Sequence, residues 1–133
     1  MAKTDELNQN KAAMTRIVDI FSTGDLSQVP AVIASDYLDH QGLGGTAMTG
    51  QQGFRQVVTI ARAALPQLRV VIHDLIAEGD KVVARLQWHS TDSVGNKIDR
   101  ETIEILRFVA GQAVEHWGAE AWASKKRVSS QAE

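Results

Sequence analysis

The chain has 133 residues, 44% of them hydrophobic and 23% charged, enough for one buried core and one domain. Fourteen Lys and Arg against sixteen Asp and Glu leave a formal net charge of −2, without the basic excess that a nucleic-acid surface requires. There is no cysteine, which excludes a disulfide framework, a thiolate zinc site and a cysteine nucleophile.

Leu7, Met14, Ile17, Val18 and Phe21 recur at spacings of three and four, which predicts a helix from Thr4 to Thr23 with Gly24 as its stop. Asp25-Leu-Ser opens a second, short helix through Val29, Val32 and Ile33, with Ser27 as cap, Pro30 in the first turn and an end near Ser35. Tyr37 to Gln41 is β-compatible, and the four glycines from Gly42 to Gly50 mark a flexible loop. Phe54, Val57, Val58 and Ala61 restore helical spacing from Gln51 to Leu65, and Pro66 ends it.

The period then changes. Val70 to Trp88 is rich in β-branched residues and is interrupted by Glu78-Gly-Asp-Lys81, a hairpin signal. Further turns at Ser93 to Lys97 and Ala110 to Gln112 delimit strands over Ile98–Val109 and Ala113–Trp122. Residues 1–123 read as one domain and 124–133 as a disordered tail. No apolar run approaches the roughly 20 residues of a membrane span, and the first residues lack the apolar stretch of a leader. The expectation is a cytoplasmic protein without membrane or nucleic-acid partners. Helices followed by a four-stranded antiparallel meander predict an α+β fold, with a strongly curved sheet wrapped around the helices.

Strand alternation sorts the polar residues. Val82, Ala84, Leu86 and Trp88 share one side of their strand, and Val83, Arg85, Gln87 and His89 share the other. On the next strand Arg100, Thr102, Glu104, Leu106 and Phe108 oppose Asp99, Glu101, Ile103, Ile105 and Arg107. On the last, Val114, His116 and Gly118 oppose Glu115 and Trp117.

Five segments occurring in order carry a family resemblance: Phe21-Ser-Thr-Gly-Asp-Leu, Ala34-Ser-Asp-Tyr-Leu-Asp-His40, Leu65-Pro-Gln-Leu-Arg-Val, Ala77-Glu-Gly-Asp-Lys-Val-Val-Ala-Arg85 and Val114-Glu-His-Trp117. The chain resembles the SnoaL-like polyketide cyclases, of the ester cyclase group within the nuclear transport factor 2-like superfamily, over roughly residues 8 to 122. The resemblance implies a cone-shaped, cystatin-like α+β barrel enclosing an apolar pocket, and a homodimer formed through the outer side of the sheet. It also implies an intramolecular aldol closure or isomerisation of an apolar polyketide-like or cyclic molecule, with no metal or organic cofactor. In that family a pocket Asp commonly lies four residues after the Trp of Glu-His-Trp. Here Ala121 stands at that place, and the nearest carboxylate, Glu120, needs a bulge at Gly118 to turn inward.

The candidate catalytic residues are therefore His116, Glu120 and Glu104. His116 is set to orient or protonate a carbonyl, with a packing role as the alternative. Glu104 reads first as an ion-pair partner of Arg85 across the sheet, and otherwise as a pocket carboxylate. Tyr37, His40, Trp88, Trp117 and Arg85 are the candidate substrate-binding residues, the aromatic ones as pocket wall. No metal site is expected, since no two histidines have one-turn helical spacing. Two other activities fit this material: a small-molecule binding dimer without chemistry, and a limonene-type epoxide hydrolase built on Arg85, Asp99 and Glu101.

Overall fold

Residues 2–43 and 45–121 are described by a computed structural model of the chain. Helix α1 (Ala2–Thr23) buries the stripe that the periodicity marks, with Met14, Ile17, Val18 and Ile20 almost inaccessible. It stops at Gly24, whose φ of 75° is left-handed and whose N–H reaches the Ile20 carbonyl at 2.7 Å. Arg62, from a later helix, donates to the carbonyls of Phe21 and Ser22 at 2.7 and 2.9 Å, so a cation covers the negative end of α1.

The second helix is shorter than its sequence suggests. One 3-10 turn (Leu26–Gln28) capped by the Asp25 side chain, not by Ser27, leads into a single turn α2 (Val29–Val32). Strand β1 (Ile33–Leu43) begins at once, because Ile33, Ala34 and Tyr37 gain more from burial in the sheet than a further turn would give. Part of the glycine-rich segment is also ordered: β2 (Thr46–Thr49) pairs antiparallel with β1. Helix α3 (Gly50–Ala64) follows, burying Phe54 and Val58.

The four remaining strands, β3 (Arg69–Glu78), β4 (Lys81–Thr91), β5 (Lys97–Val109) and β6 (Gln112–Glu120), form the expected antiparallel meander. The sheet as a whole is six-stranded and mixed, in the order β2-β1-β6-β5-β4-β3, because β6 pairs parallel with β1. It is curled rather than closed. The helices pack on its concave side against Val82, Ala84, Leu86, Leu106 and Phe108, so the core lies between sheet and helices. Trp122 and the tail at 124–133 lie outside the described residues. Among the described residues no helix is long and apolar enough to cross a membrane.

One irregularity decides which way β6 faces. Arg107 pairs with Glu115 but Phe108 pairs with Ala113, so Val114 is an extra residue in the ladder. Beyond that bulge, His116 lies opposite Leu106, Gly118 opposite Glu104 and Glu120 opposite Thr102, all on the concave side.

Candidate active site

A cavity of about 370 Å³ opens between α1, α3 and the concave face of β1, β6, β5 and β4. Its walls are mostly apolar, and three edge-to-face ring contacts brace them: Phe21 on Phe54, Phe21 on Trp88 and Tyr37 on Phe54, with centroids 5.7, 5.3 and 5.9 Å apart. The polar groups gather on neighbouring strands: Asp39 and Gln41 from β1, His116 and Glu120 from β6, and Arg100, Thr102 and Glu104 from β5. The Trp88 indole N–H donates to Thr102 Oγ1 at 2.8 Å, which fixes that wall.

His116 is the centre of this group. Its Nδ1 lies 2.7 Å from Asp39 Oδ1 and its Nε2 2.5 Å from Glu104 Oε1, so one imidazole links β1 to β5 across β6. Burial alone would push its pKa down, but hydrogen bonds to Asp39 and Glu104 and the charges of both outweigh this and raise it to about 9. At neutral pH the ring is an imidazolium donating both N–H groups to carboxylates. Asp39 is held below the usual carboxylate range: burial opposes ionisation, but the His116 hydrogen bond and charge and the backbone N–H groups of Gly42 and Gln41 prevail. Those two N–H groups also turn the chain after Asp39, so one carboxylate both shapes the β1–β2 hairpin and orients the imidazole.

Gly118 makes the assembly sterically possible. A Cβ there would collide with the side-chain oxygens of Gln41 and Glu104, both of which lie across its backbone. Among the described residues no cluster is arranged to hold a metal ion; Asp39 and Glu104 sit on opposite ring nitrogens of His116. A second recess, of about 530 Å³, lies between the first turns of α1 and the β3–β4 and β5–β6 turns, far from this cluster and without a histidine.

The sequence matches the family model of the SnoaL-like polyketide cyclases over residues 11–123, nearly the whole domain. The chain belongs to the SnoaL-like polyketide cyclase family. A candidate polyketide cyclase from Bacillus cereus ATCC 10987 is 30% identical to this SnoaL-like chain, with a TM-score of 0.74, over 81% of this chain and 71% of that one. A candidate polyketide cyclase from Acidithiobacillus ferrooxidans (23% identity, TM-score 0.77, 94% and 96% covered) has the same fold. So does wild-type IdmH of Streptomyces antibioticus, also a candidate polyketide cyclase (21% identity, TM-score 0.77, 94% and 99% covered). No protein of curated function matches the sequence.

Within this SnoaL-like fold the residues singled out from sequence divide by strand face. His116, Glu104, Glu120, Tyr37 and Trp88 line the cavity. Glu120 does so without a bulge at Gly118: the extra residue is Val114, and from His116 onward regular alternation brings every second residue inward. Glu104 is not the partner of Arg85. It is buried at 9% exposure against His116, while Arg85 lies on the convex side and donates to Asp74 and Glu101 at 2.6 and 2.8 Å. His40 and Trp117 are also convex; their rings stack with centroids 5.1 Å apart, and His40 Nε2 meets Glu115 at 2.7 Å. Asp99, bonded to His89 on that same side, completes a set of charges that belongs to the outer surface, so Arg85, Asp99 and Glu101 form no hydrolase centre in the cavity. The sequence reading missed Asp39. Its signal was available, since Asp39 lies two residues from Tyr37 and alternation puts both on one face.

Proposed function

We propose that the protein is a cofactor-independent acid/base enzyme acting on an apolar, carbonyl-bearing, polyketide-like or cyclic molecule, by aldol-type cyclisation or isomerisation. The observation that carries this reading is the imidazolium of His116 clamped between Asp39 and Glu104 on the polar wall of an otherwise apolar cavity. His116 engages only Oε1 of Glu104; Oε2 has no hydrogen-bond partner among the described residues and is the proton acceptor in this scheme. Glu104 Oε2 takes a proton from the carbon beside a substrate carbonyl, the resulting enolate carbon bonds to a second carbonyl carbon, and the new alkoxide takes the proton back. The cycle is proton-neutral and consumes no redox equivalent. Asp39 orients the ring, and the ring's charge offsets the cost of burying Glu104 in an otherwise apolar site. Arg100 and Glu120, both exposed at the rim, give the mouth one charge of each sign.

The test uses 1-tetralone, a bicyclic aromatic ketone, in deuterated water, with exchange of its α-protons followed by NMR. The wild-type protein accelerates exchange, and Glu104→Gln loses about 10²- to 10⁴-fold of that acceleration, the usual worth of a positioned base. Equal acceleration by both proteins overturns the assignment. The second reading, a non-catalytic small-molecule binder, is favoured by one observation: both ring nitrogens of His116 are already spent on carboxylates, as in a structural ion pair. Tetralone binding without any exchange would establish it. We also propose a homodimer through the convex face, where Ile76 and Ile103 are 61% and 42% exposed among the charged residues. A monomer on a sizing column at micromolar concentration would remove that proposal.

A further inference from the structure

The acid/base reading leaves unused one deeply buried polar group of the cavity, the phenol of Tyr37. The residue is only 2% exposed, yet it lines the cavity and its hydroxyl has no hydrogen-bond partner among the described residues. A buried tyrosine hydroxyl ordinarily finds a partner, because leaving it unpaired forfeits its hydration for nothing. No side-chain oxygen or nitrogen among the described residues is both sealed from solvent and unpartnered, so this hydroxyl must open into the cavity. Its ring is fixed edge-to-face against Phe54, with centroids 5.9 Å apart, which leaves little freedom in where the O–H points.

The neighbours define what that hydroxyl can bind. Tyr37 shares a face of β1 with Asp39, and β6 separates β1 from β5, which carries Glu104. The registers put Glu104 level with the Gln41 end of β1, four residues beyond Tyr37, so the phenol and the carboxylate enter the same cavity from different strands and different levels. Burial, reinforced by the negative charges of Asp39 and Glu104, holds the hydroxyl's pKa well above 10.0, so it stays a donor throughout the working range. A protonated phenol and a carboxylate base lining one largely apolar cavity are complementary to an enolate: the carboxylate takes the proton and the phenol meets the negative oxygen that forms.

We propose that Tyr37 is a catalytic residue that donates its phenolic hydrogen bond to the substrate's carbonyl oxygen, stabilising the enolate formed by proton transfer to Glu104. The assignment rests on the acid/base reading for its catalytic meaning, but the hydrogen bond itself can be tested without turnover. The probes are 1-naphthol, which mimics the enol of 1-tetralone, and tetralin, which has the same skeleton without oxygen. Tyr37→Phe removes one oxygen and keeps the ring that packs on Phe54. The expected result is a loss of at least tenfold in 1-naphthol affinity with less than a twofold change for tetralin, and a 10²- to 10³-fold slower tetralone exchange. Equal changes for the two probes overturn the proposal.

A measurement on the wild-type protein alone guards against a variant that misfolds. The carbonyl carbon of bound, ¹³C-labelled 1-tetralone should resonate downfield of its position in cyclohexane, and a bound signal at the cyclohexane position refutes the hydrogen bond. Glu104→Gln should retain the preference for naphthol over tetralin. If the preference survives while neither protein exchanges tetralone, the donor stands and the enzymatic reading falls.

Discussion

Raising the pH removes the proton from His116, and the structure sets what that should cost. The folded chain holds this proton with a pKa of about 9 against an ordinary imidazole value of 6.5. Because the folded state binds it more tightly than the unfolded chain, the stabilisation is complete below pH 6.5 and disappears as pH climbs through 9. At about 1.4 kcal/mol per pKa unit the full effect is about 3 kcal/mol, of which about 2 kcal/mol is lost between pH 7 and 9.5. With only 14% of the His116 side chain exposed, solvent screening does little to reduce this. For a domain of this size the thermal midpoint should fall by about 8 °C over that interval. Tyr37 does not confuse the measurement, since its own linkage begins only near the unfolded phenol value of 10.0. The assay is thermal unfolding by circular dichroism at closely spaced pH values, for the wild type and for His116→Gln. The difference between the two curves should shrink across pH 7 to 9.5. Parallel curves would show that the imidazolium is not bound as the Asp39 and Glu104 geometry requires.

Two further outcomes follow from particular contacts. Gly118→Ala forces the Gln41 and Glu104 side chains off β6; NMR titration should then find the His116 pKa displaced downward from about 9, and an unchanged titration would show that Glu104 keeps its place. Arg85→Ala breaks contacts with Asp74 and Glu101 on the convex face only. It should leave ligand affinity and the His116 titration unaltered, whereas a tenfold loss of ligand affinity would return Arg85 to the binding site.

What was legible in the sequence follows from how local each signal is. The α1 stripe and the turns at Gly79, Gly95 and Gly111 are written within a few residues, and those elements stand where they were expected. The parallel pairing of β1 with β6 joins Leu38 to Glu115, and no neighbouring residue announces it. The ordered β2 was hidden for a related reason: glycine density reads as a loop, yet Gly42 turns left-handed with its Cα close against the Thr46 backbone and closes a hairpin. For the site, alternation sorted each strand into two sides but left the register between strands open, and opposite charge suggested a pair between Glu104 and Arg85. The register sets Ala84 opposite Glu104 and Arg85 opposite Ile103, so the two charges lie on opposite faces. The Glu120 question turned on a bulge, a one-residue slip at Val114 that alternation by itself does not foresee.

The hydrogen bond between Asp39 and His116 spans 77 residues of chain, and the strand carrying His116 is the last one described. While the polypeptide is still emerging from the ribosome, Asp39 is exposed long before its partner exists, and β1 has only β2 to pair with. Such non-local closure is slow relative to helix formation, because the loop entropy is lost before the contact repays it. The Asp39–His116–Glu104 cluster is therefore assembled only when β6 slots between β1 and β5. A nascent or C-terminally nicked chain that has built α1, α3 and the β3–β5 meander would hold much of the apolar wall and lack His116, the residue that joins Asp39 to Glu104. Synthesis order thus sets the apolar wall in place before the polar cluster that crosses it.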